Sequence, residues 1–234
     1  MREMPEEKFI RAVWSHVLPF VAWLVLMAAP GLPPAWNYAL RTVVCLVLFM
    51  RLCPSRGYAR LRIRNLPSAF LVGVAVFAVW ILPESPWMER WPALRDLYLR
   101  WAVLPLGTMP APLTVFPFAP EVCGWLLALV RLAGSVLVIA PIEEFFWRGL
   151  VYRWLIGKEF TQIDLCTLRW PILLAVSVCF GLEHDRWLVG IMAGLAYGLL
   201  MIRTRDIWAA VAAHGVTNFL LGLYVLAMGA YRFW

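Results

Sequence analysis

The sequence predicts an all-α fold: a polytopic transmembrane helix bundle of about seven to eight spans, forming a single integral membrane domain over 1–234. Three observations carry this. The 234 residues are 63% hydrophobic with a mean hydropathy of +0.76, whereas soluble domains hold about 45–50% apolar residues. Apolar runs close to the ~20 residues needed to cross a bilayer recur along the chain. The basic residues gather at the ends of those runs, as they do in membrane proteins that set their orientation by charge.

Taken in order, span 1 covers roughly 10–29 and is ended by "PGLPP"; span 2 covers 36–52. The loop 51–65 follows with Arg51, Arg56, Arg60, Arg62 and Arg64, five of the 21 Lys and Arg. Span 3 covers 66–82. Residues 83–120 break the pattern with Pro and mixed charge, and "RDLYLRWAVLPL" (95–106) reads either as an interfacial amphipathic helix or as a short eighth span. Span 4, 121–156, is too long for one straight crossing, so Pro141 is expected to kink it. Spans 5, 6 and 7 cover 170–184, 187–202 and 207–229. Gly190, Gly194 and Gly198 line one face of span 6, which lets a neighbouring helix approach closely.

The net charge of +7 does not indicate a nucleic-acid partner, because the bases sit at span ends rather than on one soluble face. With 1–9 inside, the inner loops carry Arg2, Lys8, the five arginines of 51–65, Arg153, Lys158, Arg169, Arg203 and Arg205. The outer segments carry only Arg90, Arg95, Arg100, Arg186 and Arg232. This asymmetry predicts an inside N-terminus. "MREMPEEKF" mixes acids with its bases and precedes a long apolar run, which reads as a retained anchor rather than a cleaved signal. Cys45, Cys53, Cys123, Cys166 and Cys179 are scattered without a CxxC, so neither a disulfide frame nor a zinc site is expected.

Three polar clusters interrupt the later spans. The first holds Glu143, Glu144 and Arg148. The second, "FGLEHD", holds Phe180, Glu183, His184 and Asp185. The third, "HGVTN", holds His214 and Asn218. Adjacent helical residues point about 100° apart, so the two glutamates cannot share one role. Glu144 and Arg148 stand at i and i+4, acid first, the favoured order for an intrahelical pair that spares each an unpaired charge. Glu144 is therefore the structural acid, and Glu143 is the acid free to serve as general base or acid. His214 and Asn218 share a helix face; they serve either as donors to a developing oxyanion or as helix-to-helix hydrogen bonds. His184 closes span 5 with Phe180 one turn back, and Glu183 and Asp185 are rim residues. His16, near the start of span 1, reads as an interfacial residue without a role. At about 1.5 Å per residue, Glu143, His184 and His214 lie roughly 18, 20 and 10 Å from the inner ends of their helices. Three helices thus bring polar groups to a similar slab of the membrane, as one shared cavity requires.

As patterns these are EExxxR (143–148), FxxxH (180–184) and HxxxN (214–218), in that order. They resemble the CPBP family of intramembrane glutamic proteases, also called Abi, which includes the type II CAAX prenyl endopeptidases. The resemblance covers about 121–228, the catalytic core, while 1–120 supplies N-terminal spans. The "LPSAFLVGVAVFAVWIL" run resembles the CAAX-protease-related proteins found beside exosortase systems in bacteria. The resemblance implies that Glu143 activates water, His184 helps to hold it, His214 and Asn218 form an oxyanion hole, and Glu144, Arg148 and Phe180 support the site. Glu183 departs from the small or apolar residue expected before the His. The resemblance further implies no cofactor and no metal, a membrane-associated peptide or protein substrate, and a multi-pass place in a bacterial or archaeal plasma membrane. Three alternatives stand beside it: a non-catalytic role in bacteriocin immunity or scaffolding, a zinc metalloprotease built from two His and a Glu, and a transporter.

Overall fold

The computed structural model describes residues 5–52, 54–110 and 115–234; Arg2 and Cys53 lie outside the described residues. It is helical throughout, with no strand among the described residues. Helix α1 is Glu6–Met27, with Glu6 and Glu7 in its first turn, where acids favour the positive end of the helix dipole. Helix α2 is Pro34–Leu52 and α3 is Leu66–Ile81; each has a proline in its first two positions, where the missing N–H costs nothing. Helix α4 is Pro92–Trp101. Helix α5 runs Trp125–Ile156, entered from a one-turn helix through Gly124 at φ +82°. Helices α6, α7 and α8 are Trp170–Leu182, Trp187–Thr204 and Ile207–Met228.

Among the described residues six helices are long and apolar enough to cross a membrane. Five of them are α1, α5, α7, α8 and the stretch around α3; the sixth begins with α2. The predicted span 5 is instead the 13-residue α6, about 20 Å long. The option of an eighth span at 95–106 is not what forms. Helix α4 has ten residues and ends at Trp101, about 15 Å and half a bilayer core, because Pro105 and Gly107 follow it. It lies against the α6–α7 turn: Trp187 Nε1 donates to the Trp101 carbonyl at 3.0 Å, and the Leu104 N–H to the Asp185 carbonyl at 2.7 Å.

Helix α5 accommodates Pro141 by widening. Two π-helical stretches, Ser135–Ile139 and Phe145–Val151, flank an α-helical turn, Ala140–Glu144. A proline deletes one rung of the hydrogen-bond ladder, and π turns are a common relaxation at such points. Glu143 and Glu144 sit between the two.

The core lies where α3, α5, α6, α7 and α8 meet, around Phe145, Tyr152, Phe180, Tyr197 and Met201. The glycine face of α7 packs as expected against α6. A Cβ on Gly190 would stand 2.9 Å from Gly181 Cα, and one on Gly194 would stand 3.0 Å from Ser177 Cα. A second cluster joins α1, α2 and α5 through Trp23, Tyr38, Cys45 and Ile142. Asp206 caps α8 by accepting from the Trp208 N–H at 3.0 Å, and its other oxygen holds Asn65 Nδ2 and the Arg62 N–H. One carboxylate thereby pins the end of the basic loop to the α7–α8 turn.

His16 is buried within the protein. It is 4% exposed, with Nε2 2.9 Å from the Tyr58 hydroxyl and its ring against Phe145 and Phe160. Residues 58 and 160 belong to loops that fold back over the end of α1, which buries a side chain that its helix alone leaves at the edge. Cys45, Cys123, Cys166 and Cys179 are free thiols.

Candidate active site

Helix α5 supplies the acids and the guanidinium. Glu144 is fully buried and Arg148 is 2% exposed. Arg148 NH1 donates to Glu144 Oε1 at 3.1 Å, the expected i,i+4 pair. Its NH2 donates to the Gly194 carbonyl at 3.0 Å, and its guanidinium lies 4.2 Å over the Phe180 ring. The charge is thus met by a carboxylate, a backbone dipole and an aromatic face from three helices. Gly194, read in the sequence only as packing, supplies the carbonyl.

Glu144 has a second partner that helical spacing does not reveal. His214 Nδ1, on α8, lies 3.0 Å from Glu144 Oε1. A carboxylate oxygen accepts, so Nδ1 carries the hydrogen. Nε2 then faces Glu143 Oε2 at 3.8 Å, beyond hydrogen-bond range. That Glu143 oxygen is buried with no hydrogen-bond partner among the described residues. Tyr197 stacks on the imidazole, centroids 4.9 Å apart and planes within 16°. Its hydroxyl donates to Thr217 Oγ1 at 2.7 Å, and Thr217 in turn donates to the Gly73 carbonyl on α3 at 3.0 Å. The ring of His214 is therefore held at one nitrogen and one face, and the other nitrogen is left toward Glu143.

His184 stands just past the end of α6, its ring between Trp80 and Phe180. Nδ1 donates to the Phe180 carbonyl at 2.9 Å. A carbonyl can only accept, so the neutral ring presents Nε2 as an acceptor. Asn218 Nδ2 donates one hydrogen to the Ser135 carbonyl at 2.9 Å and keeps one for another acceptor. A cavity of about 160 Å³ is lined by His184, His214, Asn218, Phe180, Trp80 and Arg131, among others. Its volume is about that of five liquid waters. Glu143 is absent from that lining and meets the group through His214. Glu183 is exposed and accepts from Trp147 Nε1 at 2.8 Å, while Asp185 is exposed at the rim.

Two more charges were visible in the apolar runs and were passed over: Arg41 on α2 and Arg131 on α5. Neither side chain makes a hydrogen bond or ion pair among the described residues, although the Arg131 carbonyl accepts from the Tyr38 hydroxyl at 3.2 Å, and Arg41 Nε and NH1 and Arg131 Nε are buried without a partner. Both are held by rings. Arg41 lies over Trp23 and Tyr38, and Arg131 over Phe118 and Tyr38. The signal was a cation inside a span; the rings that hold it come from other segments.

Residues 124–220 match the family model described as type II CAAX prenyl endopeptidase Rce1-like. This stretch contains Glu143, Glu144, Arg148, Phe180, His184, His214 and Asn218, and leaves α1 to α4 outside. The Rce1-like match supports a CAAX-type intramembrane protease at the level of the family, and hence a peptide hydrolase in a multi-pass membrane protein. Comparison with curated proteins and with solved structures gives no match. Among the described residues no group of three or more His, Cys, Asp and Glu is arranged to hold a metal ion.

Proposed function

We propose that the chain is an intramembrane endopeptidase that cleaves a membrane-associated peptide with water activated by Glu143. The observation that supports it most is the Glu144–His214–Glu143 arrangement. One buried carboxylate clamps Nδ1 of His214, and a second, unpartnered carboxylate faces Nε2 at 3.8 Å. An acid without a partner, facing an oriented imidazole that lines a cavity, suits general base catalysis.

On this reading Glu143 takes a proton from a water whose second hydrogen is accepted by His184 Nε2. The water oxygen bonds to the scissile carbonyl carbon. The resulting oxyanion accepts from Asn218 and from His214 Nε2. With Nδ1–H already engaged, donation from Nε2 requires the imidazolium form, for which Glu144 is the counter-ion. The C–N bond then breaks and Glu143 returns its proton to the leaving amine. No covalent intermediate forms. Glu144 thus has two tasks, pairing Arg148 and orienting His214.

Glu143→Gln, purified in detergent and offered a farnesylated CAAX peptide, should melt like the parent and give no cleavage; a fully active variant would sink the proposal. Glu143's place off the cavity wall favours the non-catalytic alternative, and a cellular phenotype that survived substitution of Glu143, His184 and His214 together would support it. We also propose a bacterial or archaeal plasma membrane and an inside N-terminus. In sealed inside-out vesicles an impermeant maleimide should then label a variant keeping only Cys166 and spare one keeping only Cys123.

A further inference from the structure

We propose that Arg131 is a carboxylate-binding subsite of the same cavity, which selects peptides carrying an anionic group close to the cleaved bond. The inference rests on the peptidase reading and deepens it by naming a substrate feature. Arg131 lines the cavity together with His184, His214 and Asn218. Its guanidinium is held flat between Phe118, at 4.0 Å, and Tyr38, at 4.7 Å, while no carboxylate reaches it among the described residues. Ring faces stabilise the cation but leave its in-plane N–H groups unanswered. A planar fork of donors fits a carboxylate two-pronged, as an ammonium cannot. A second cation, Arg41, 7% exposed, lies 4.9 Å from the same Tyr38 ring and is likewise without an acid among the described residues. Arg41 is buried, Arg131 is half-buried with its Nε sealed from solvent, and neither has a counter-charge among the described residues, so the missing partner of the site is an anion.

The position also sets the register. Ser135, whose carbonyl anchors Asn218, is one turn beyond Arg131 on α5, an axial offset of about 6 Å. An extended peptide covers that distance in about two residues. A carbonyl held at Asn218 and His214 therefore places a carboxylate about two residues away at Arg131. A chain-terminal carboxylate or an acidic side chain both offer this chemistry.

The test measures binding, so it does not depend on turnover. The full chain in detergent, carrying Glu143→Gln, is titrated with a fluorescent farnesylated CAAX peptide as free acid, as C-terminal amide, and as the amide with an aspartate two residues beyond the expected cleavage point. The acid should bind about tenfold or more tightly than the plain amide. Arg131→Gln should erase that preference, and Arg131→Lys should keep part of it. Rescue by the aspartate amide alone assigns the subsite to a side chain, and preference for the free acid alone assigns it to the chain terminus. Equal binding of all three peptides, or an unchanged preference in Arg131→Gln, overturns the proposal. So does competition by phosphatidylglycerol that Arg131→Gln abolishes while peptide charge has no effect, because the site then holds a lipid. If Arg131→Gln does not fold, the Arg131→Lys variant and the three peptides on the parent still decide. Charge-selective binding by a chain that never cleaves would retain the subsite and remove the peptidase reading; cleavage blind to peptide charge would do the reverse.

Discussion

Replacing Arg148 by Met tests the centre of the site most directly. The Glu144 carboxylate is fully buried, and Arg148 NH1 lies 3.1 Å from its Oε1. Its Oε2 has no partner among the described residues. Without the guanidinium, a buried negative charge keeps only the His214 imidazole. Removing one member of a buried pair costs about 3–5 kcal/mol, which for a chain of this size corresponds to a fall in melting temperature of roughly 6–20 °C. Glu144→Leu should cost a similar amount, because Arg148 then keeps the Gly194 carbonyl and the Phe180 and Tyr197 rings but no counter-charge. The double variant removes both charges and leaves two neutral groups, His214 Nδ1 and the Gly194 carbonyl, each short of a partner at about 1–3 kcal/mol. Its total cost should be well below the sum of the single costs. Thermal unfolding in detergent, followed by tryptophan fluorescence, measures all three. The double variant should recover the fold without recovering cleavage, since His214 has lost its clamp. Costs that add to within about 0.5 kcal/mol would refute the pairing. Full activity in the double variant would refute the orienting role of Glu144.

Gly73→Ala should be disruptive although it adds one methyl group, because the new Cβ would stand 2.6 Å from the Ala213 carbonyl oxygen and 2.7 Å from Val216 Cβ. Separating α3 from α8 should cost about 1–3 kcal/mol, read as faster inactivation on heating; an unchanged half-life would refute the contact. Tyr197→Phe keeps the ring on His214 and loses the hydroxyl bond to Thr217, so a stability loss of about 0.5–1.5 kcal/mol with largely retained turnover is expected, whereas Tyr197→Ala should lower turnover strongly. Turnover should also be indifferent to EDTA; loss in chelator with recovery on adding zinc would replace the glutamate scheme with a metal one.

The bundle was legible because its signals are local. Apolar length, the "PGLPP" break after span 1 and the glycine face of α7 each report on a few consecutive residues. The Glu144–Arg148 pair was legible for the same reason: spacing of four on a helix suffices. What needed three dimensions was every contact between segments far apart in the chain. The Glu144–His214 bond joins residues 70 positions apart. The burial of His16 was not legible because the side chains that cover it, Tyr58 and Phe160, arrive from distant loops. Span 5 was drawn to His184, two residues too far, because the backbone has already turned at Glu183. Arg41 and Arg131 stood in plain view within apolar runs, but the rings that carry them lie on α1, on α2 and in the segment before α5.

The shortness of α6 bears on how a hydrolase obtains water inside oil. Thirteen residues reach about 20 Å, against a hydrocarbon layer of about 30 Å. A helix too short for its bilayer draws the headgroups inward at a cost of fractions of a kcal/mol per ångström. The dimple forms at a helix end, and His184 is the second residue past the end of α6. Lipid deformation would thus carry the aqueous boundary toward the cavity mouth, so thicker host membranes should starve the site of solvent and thinner ones should feed it.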